Sequence, residues 1–325
     1  MRVKLTDVAK LAGVSVTTVS RVINNKGYLS DETIKKVNQA IDELNYQPNT
    51  LARSLQGKST NLIGLVFPSL SNIFYAELID SLEQELFQRG YKTIFCNSQY
   101  QAEKERDYIR MLQANQVEGI IVGSHSLTAK DYENIYSPVV SFDRYLGKNI
   151  PIVSSDNYSG GQMATRQLLN HNIKKVIMIT GTNDKASPTY QRYQGYLDVM
   201  KQEGFEPIWH ALSDIYSPIR KKAELKQILE KEKPEGIFCS DDMTALLIYN
   251  LAQEMGLSLP KDLKLIGYDG THVMEHYFPS ITTVQQPIKD LSQLCVELLV
   301  DKIDEKKPSQ MHYELPVRLI SGITC

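Results

Sequence analysis

The chain reads as two units of different fold class, an all-α head of about 47 residues and an α/β body that fills the rest. Two observations predict this. Residues 1–47 carry helical periodicity without strand-like alternation, whereas from about residue 61 short apolar runs alternate with amphipathic helices. Charge divides at the same place. Residues 1–58 hold nine Lys and Arg against five Asp and Glu, a net of +4, so the whole-chain value of −2 leaves −6 on the body. A basic head on an acidic body points to a polyanion at one end only.

Within the head, Thr6 is expected to cap a first helix, DVAKLA, that stops at Gly13. Ser15 then caps a second helix over about 16–23, and Ser30 opens a longer third, DETIKKVNQAIDEL. The connection LAGVS is so short, with a glycine free to take positive φ, that the first two helices must cross sharply. Ala9 leaves room for that approach, and Val8, Val19 and Val22 fall at the spacings of a shared core. This is a helix-turn-helix pattern. Trihelical bundles also occur away from DNA, so these residues alone leave both uses open. After Pro48, NTLARSLQGKS is competent for about two turns of helix but too short to stand alone in water, which suits a linker that folds against a partner.

The body opens with the strand-like run NLIGLVFP, the helix AELIDSLEQELFQRG, the strand YKTIFCNS, the helix KERDYIRMLQAN, and the strands VEGIIVGS and PVVSFD. The alternation resumes near GGQMATRQLLN and continues through KKVIMITG, RYQGYLDVMKQEG, EGIFCSDD, MTALLIYNLAQEMG and LKLIGYDG. About eight strands in repeated β-α units predict two similar, doubly wound, mostly parallel sheets, with function in the loops beyond their carboxyl ends.

Composition narrows the class. A chain of 325 residues with 42% hydrophobic and 23% charged residues, 18 Gly and 13 Pro is neither disordered, collagen-like nor disulfide-stapled. Cys96, Cys239, Cys295 and Cys325 lie tens of residues apart and read as reduced structural thiols. No apolar run reaches the ~18–20 residues that cross a bilayer. MRVKLTDVAK puts charges where a signal peptide carries its apolar stretch, so a cytoplasmic protein without membrane contact is expected.

Motifs for enzymatic chemistry, including G-x-G-x-x-G, the P-loop, H-E-x-x-H and G-x-S-x-G, are absent from the sequence, and no enzyme or cofactor is expected. His272 and His276 stand four apart but lack a third ligand nearby, so no metal site is expected. Asp241 and Asp242 in CSDDMTA read as a helix cap followed by a solvent-facing neighbour. What remains at the strand ends is a polar set, Asp143, Arg192, Ser240, Asp241, Asp269 and Gln286, with Phe74, Tyr75 and Tyr216 able to cover an apolar face. Such a set suits a small molecule with many hydroxyls.

KLTDVAKLAGVSVTTVSRVI and NTLARSLQGKS together resemble the DNA-binding head and hinge of LacI/GalR-type bacterial repressors. IGLVFPSLSNIFYAEL, QVEGIIVGS, VVSFD, YQRYQGY, GIFCSDDMTA, LIGYDGTH and TTVQQPI follow in that family's order, so the resemblance covers nearly the whole chain. KGYLS, CNSQ with KERDY, and IPIVSSDN are most similar to the sucrose-operon repressors of Gram-positive bacteria.

The resemblance implies a head over 1–47, a hinge over 48–58 and a periplasmic-binding-protein-like core over 59–325. That core would comprise one subdomain of about 59–155 plus 286–312 and another of about 156–285 plus 313–325. It implies a second helix in the major groove, with Val16 and Thr17 at base edges, Arg21 on a guanine, and Thr6, Ser15, Thr18 and Ser20 on phosphates. Asn24 joins this set, and Asn49, Ala52, Arg53 and Leu55 match the hinge, Leu55 as a minor-groove wedge.

For the core it implies effector contacts from Phe74, Tyr75, Asp143, Arg192, Tyr216, Ser240, Asp241, Asp269 and Gln286. Relatives often carry Asn where Ser240 stands. The chain ends at SGITC without leucine heptads, so the expected partners are a second copy in a homodimer, pseudo-palindromic operator DNA, and a small sugar or sugar phosphate. Two alternatives stay open: a catabolite regulator controlled by a phosphorylated carrier protein, and a cytoplasmic sugar-binding protein or unrecognised α/β enzyme on the same core fold.

Overall fold

The structure, a computed structural model, describes residues 3–23, 27–46, 59–124, 126–181, 189–213 and 215–325. The chain divides into two compact units, Met1–Thr60 and Asn61–Cys325.

The head comprises α1 (Leu5–Ala12), α2 (Val16–Ile23) and α3 (Asp31–Glu43). Gly13 ends α1 at φ 68, the left-handed conformation that glycine adopts without steric cost. Ser15 Oγ accepts from Thr18 N at 3.1 Å and Ser30 Oγ from Thr33 N at 3.3 Å, so both serines cap as expected. Thr6 does not. Helix α1 begins two residues earlier, with Lys4 at the cap, and Asp7, three residues past Lys4, accepts the Lys4 backbone N–H at 2.8 Å. An acidic side chain in the first turn satisfies an orphan donor there and complements the helix dipole. Val8, Ala9, Val19, Val22, Val37 and Ala40 close the head's core.

The body begins with β1 (Leu62–Phe67), α4 (Ile73–Gln88), β2 (Lys92–Asn97), α5 (Ala102–Ala114), β3 (Gly119–Val122), α6 (Ala129–Tyr132), β4 (Val139–Phe142) and β5 (Ile152–Ser155). A second series follows: α7 (Asn157–Leu169), β6 (Val176–Thr180), α8 (Tyr190–Gln202), β7 (Ile208–Ala211), α9 (Pro218–Glu232), β8 (Gly236–Cys239), α10 (Asp242–Glu254), β9 (Lys264–Asp269), α11 (His272–Tyr277) and β10 (Thr282–Gln285). Then α12 (Ile288–Ile303) and β11 (His312–Leu315) return to the first half, and β12 (Arg318–Ile320) to the second.

Two six-stranded sheets result, ordered β11-β5-β4-β3-β1-β2 and β12-β10-β9-β8-β6-β7. Every pairing is parallel except β10 with β12. The chain therefore passes between subdomains three times, at residues 156, 286–287 and 316–317. The last passage falls beyond the expected boundary at 312, because β11 pairs with β5 in register from His312↔Ile152 to Leu315↔Ser155.

The described strands number twelve, not about eight. The additional ones are short and lie at edges or crossings, where TTVQ, HYEL and RLI lack the continuous apolar run that marks a strand buried on both faces. Helices α9 and α12 also stand where the sequence pattern predicts no element. Helix α12 buries Leu291, Cys295, Val296 and Leu299 against the first sheet, and that packing is what closes the first half.

One contact sets the position of α8. A Cβ on Gly161 would stand 2.1 Å from the Arg192 carbonyl oxygen, and a Cβ on Gly195 would stand 2.3 Å from the Tyr158 carbonyl oxygen. Bare glycine on both helices lets α7 and α8 approach backbone to backbone, and neither obstructing atom is a side chain that can swing away. Gly195→Ala is expected to lower the unfolding free energy by about 1–3 kcal/mol through overpacking, measured from urea unfolding of the whole chain.

Candidate functional site

Arg192 lies in the first turn of α8 and is 6% exposed. A guanidinium so withdrawn from water requires partners, and the fold supplies them. Its Nε donates to Asn157 Oδ1 at 2.7 Å and its Nη1 to the Ser240 carbonyl at 2.7 Å, with Asp269 Oδ1 at 3.7 Å. The guanidinium plane lies over the Tyr268 ring, 3.7 Å from its centroid. These partners follow β5 of the first sheet or stand at the ends of β8 and β9 of the second, so the cluster forms at carboxyl strand ends of both sheets.

The first half contributes from its own strand ends. Asp143, just past β4, is buried at φ 54 and shares a hydrogen bond with the Asn157 side chain. Burial pushes its carboxyl up to about 6, against the pull of Arg192 and Asn157. Tyr75 also stands within electrostatic reach of Arg192. Asn157 thus bridges the Asp143 carboxyl of one half and the guanidinium of the other.

Asp269 ends β9 at φ 118, and burial raises its carboxyl well above the ordinary carboxylate range despite the nearby arginine. Gln286, on the second passage between halves, donates from Nε2 to Asp269 Oδ1 at 2.8 Å and accepts from Ser155 Oγ at 2.8 Å. Asp143 and Asp269 are both non-glycine residues at positive φ. Backbone strain of this kind persists only where the surroundings over-determine it, and it gathers at functional sites.

The structure brings Tyr75, Asp143, Arg192, Ser240, Asp241, Asp269 and Gln286 together. Two members of the expected set fall outside this group. Phe74 is 5% exposed and belongs to the first half's core, its ring 5.9 Å from Phe142 and 5.7 Å from Tyr75. Tyr216 lies beneath the Arg220 guanidinium, 3.6 Å away, on the approach to α9.

Asp241 caps α10, accepting from Thr244 N at 2.7 Å and Thr244 Oγ1 at 2.8 Å. Its neighbour Asp242 does not face solvent as expected. It is fully buried and accepts two hydrogen bonds, because the first turn of α10 packs against β9 and β10. Asn157, Tyr268 and Ser155 also stand in this cluster, and no motif in the sequence marks them. Recognising IVSS as a strand would have placed Ser155 and Asn157 at a strand end.

His272 and His276 stack at 3.9 Å between ring centroids, and His276 Nδ1 contacts the His272 carbonyl. Among the described residues no three His, Cys, Asp or Glu side chains gather as a metal site.

In the head, α2 buries Val19 and Val22 and presents Val16, Thr17 and Arg21 outward, with Val16 42% exposed. Thr6 and Ser15 are exposed, and Thr18 and Ser20 half-buried. Asn24, Asn49, Ala52, Arg53 and Leu55 lie outside the described residues.

Residues 4–49 match the family model for bacterial regulatory proteins of the lacI family, and residues 165–325 match that of a periplasmic binding protein-like domain. A sucrose operon repressor of Streptococcus mutans is 56% identical over 322 residues, 99% of each chain. One from Lactococcus lactis subsp. lactis is 50% identical over 321 residues, again 99% of each. Among solved structures, the lac repressor dimer bound to operator and the anti-inducer ONPF superposes with a TM-score of 0.86 at 26% identity, over 100% of this chain and 99% of that one.

The raised Asp143 carboxyl has a consequence for stability. Between its ordinary 3.8 and about 6, the folded chain holds the proton more tightly than the unfolded chain, so rising pH destabilises the fold through this group. Relative to Asp143→Asn, the unfolding free energy of the natural chain is expected to fall by about 1.4 kcal/mol per pH unit from roughly pH 4.5 to 6 and to level off above. Paired urea titrations across that range measure the difference.

Proposed function

The chain belongs to the lacI family of bacterial regulatory proteins, and on that premise we propose that it represses a sugar-utilisation operon, that of sucrose, by binding operator DNA under the control of a small sugar. The observation that carries this reading is the joining, in one chain 56% identical to a sucrose operon repressor, of a helix-turn-helix head to a core whose two halves converge on a buried hydrogen-bonding cluster.

In this reading α2 enters the major groove. Val16 and Thr17 meet base edges, Arg21 donates two hydrogen bonds to a guanine, and Thr6, Ser15, Thr18 and Ser20 bind phosphates that fix register without reading sequence. Asn24 joins these residues on the operator, while Asn49, Ala52, Arg53 and Leu55 act in the minor groove between two heads of a homodimer. A pseudo-palindromic operator matches that two-fold symmetry. The chain acts in the cytoplasm and performs no catalysis. Among the described residues no helix is long and apolar enough to cross a membrane.

The sugar binds at the strand ends, where Asp143, Arg192, Asp269 and their neighbours offer directed donors and acceptors, and Tyr75 offers a ring. Because both halves contribute, binding selects one angle between them. Operator affinity changes to the extent that the sugar prefers one such state, and linkage requires that the operator change sugar affinity by the same factor.

Fluorescence anisotropy of a labelled fragment of the chain's own promoter, at fixed salt because phosphate contacts are salt-sensitive, tests this directly. One of sucrose, sucrose 6-phosphate and fructose is expected to change operator affinity by about tenfold or more. Tight binding indifferent to all three points instead to a phosphorylated carrier protein as effector, and absence of sequence-specific binding ends the repressor reading. Arg192→Ala is expected to abolish the sugar response while operator affinity stays within about threefold. Deleting residues 1–58 should remove DNA binding and leave sugar binding intact.

A further inference from the structure

Asp242 is a fully buried carboxylate with no part in the contacts described for Arg192. It is the first residue of α10, and its two oxygens reach two other segments. Oδ2 accepts the Gly270 backbone N–H at 2.7 Å, and Oδ1 accepts from Thr283 Oγ1 on β10 at 2.7 Å. Strand β9 leaves space for it: a Cβ on Gly267 would stand 2.1 Å from Asp242 Oδ1. Burial raises its carboxyl, and the two donors work against that rise.

The segment held by Asp242 is the turn Asp269–Gly270, at φ 118 and φ 58. For Asp269 this is a conformation that side-chain-bearing residues seldom adopt, and it lasts only where neighbours enforce it. Gln285 Nε2 holds the Gly270 carbonyl at 2.8 Å from one side, and Asp242 holds the Gly270 N–H from the other. Gly270 is thus held at both its own polar atoms, the Gln286 backbone N–H donates to the Asp269 carbonyl at 2.9 Å, and the Gln286 side chain fixes the Asp269 carboxyl itself. Asp242 does this from α10, the helix that also carries the Asp241 cap next to Ser240, whose carbonyl receives Arg192.

We propose that Asp242 is a positioning residue for the effector site, which touches no sugar and holds Asp269 in the strained turn that faces Arg192. The proposal rests on the reading of this cluster as the sugar site. It assigns the second acid of the SDD run a role that the first, a helix cap, does not share.

Isothermal titration of the full-length chain with sucrose, sucrose 6-phosphate and fructose, using the tightest binder thereafter, tests it. Asp242→Ala is expected to weaken that sugar by about tenfold or more, since a turn freed of its tether relaxes out of the strained conformation. Asp242→Asn keeps an acceptor for Gly270 and offers Thr283 a donor that its hydroxyl can accept, so it should stay within about threefold of the natural chain. Thr283→Val, which removes one donor and little volume, covers the case in which Asp242→Ala does not fold, and should weaken the sugar by about threefold or more.

In an Asp269→Ala background, Asp242→Ala should add less than about twofold, because a residue that acts through Asp269 has nothing left to position. Sugar affinity unchanged in Asp242→Ala or Thr283→Val, an equal loss in Asp242→Asn, or full additivity with Asp269→Ala each overturns the proposal. A natural chain that binds none of the three sugars overturns the sugar-site reading on which it stands.

Discussion

The guanidinium of Arg192 sits where water cannot serve it, and much of the body's local architecture answers to that fact. An ion withdrawn from solvent costs several kcal/mol unless its donors are met. Here they are met by Asn157, the Ser240 carbonyl, the nearby Asp269 carboxyl and the face of Tyr268. These partners come from three different strand ends, so the cation is satisfied only when β5, β8 and β9 hold their places. The close glycine contact between α7 and α8 sets the height from which the arginine descends. A site built this way is rigid within the second half, and through Asn157 and Asp143 it is sensitive to the first.

The head follows a different economy of side chains. Among the described residues its buried core contains nothing larger than valine, in six positions, with leucines and isoleucines only partly covered around it. Three short helices can pack at that scale only by close approach, which Ala9 and Gly13 permit. Helix α2 buries one narrow face and leaves the other exposed, so exposed Val16 and Thr17 are consequences of how little of the helix the core needs. The body buries whole apolar faces and keeps its polar groups for strand ends.

Sequence periodicity carried the architecture well where it was strong. The helices of the head, the cap residues Ser15 and Ser30, and the long apolar strands β1, β6 and β9 were all legible, because each combines a regular hydrophobic period with a local stop or start signal. Legibility failed where a residue's role depends on a neighbour remote in sequence. Asp242 reads as a surface acid until Thr283 and Gly270 are seen around it. That Phe74 packs beside Phe142 in the first half's core is equally invisible in the sequence. Strand β10 is buried yet composed of TTVQ, because its hydroxyls are satisfied by Asp242 and the chain's carboxyl end. Thr6 and Lys4 show the smaller version of this failure, where two residues two positions apart compete to cap a helix and Asp7 decides between them.

The three passages between halves are short and close to the cluster, and this has a mechanical meaning. A body joined at one point can swing, twist and slide, but one joined at three adjacent strand ends keeps little besides a bend about the line they define. Asn157 and Gln286 stand directly at two of those joints, so the joints and the buried cluster are built from the same few residues. Any molecule that fills the cluster therefore acts at the shortest possible lever arm, where a displacement of a fraction of an ångström becomes a much larger sweep at the far ends of both sheets.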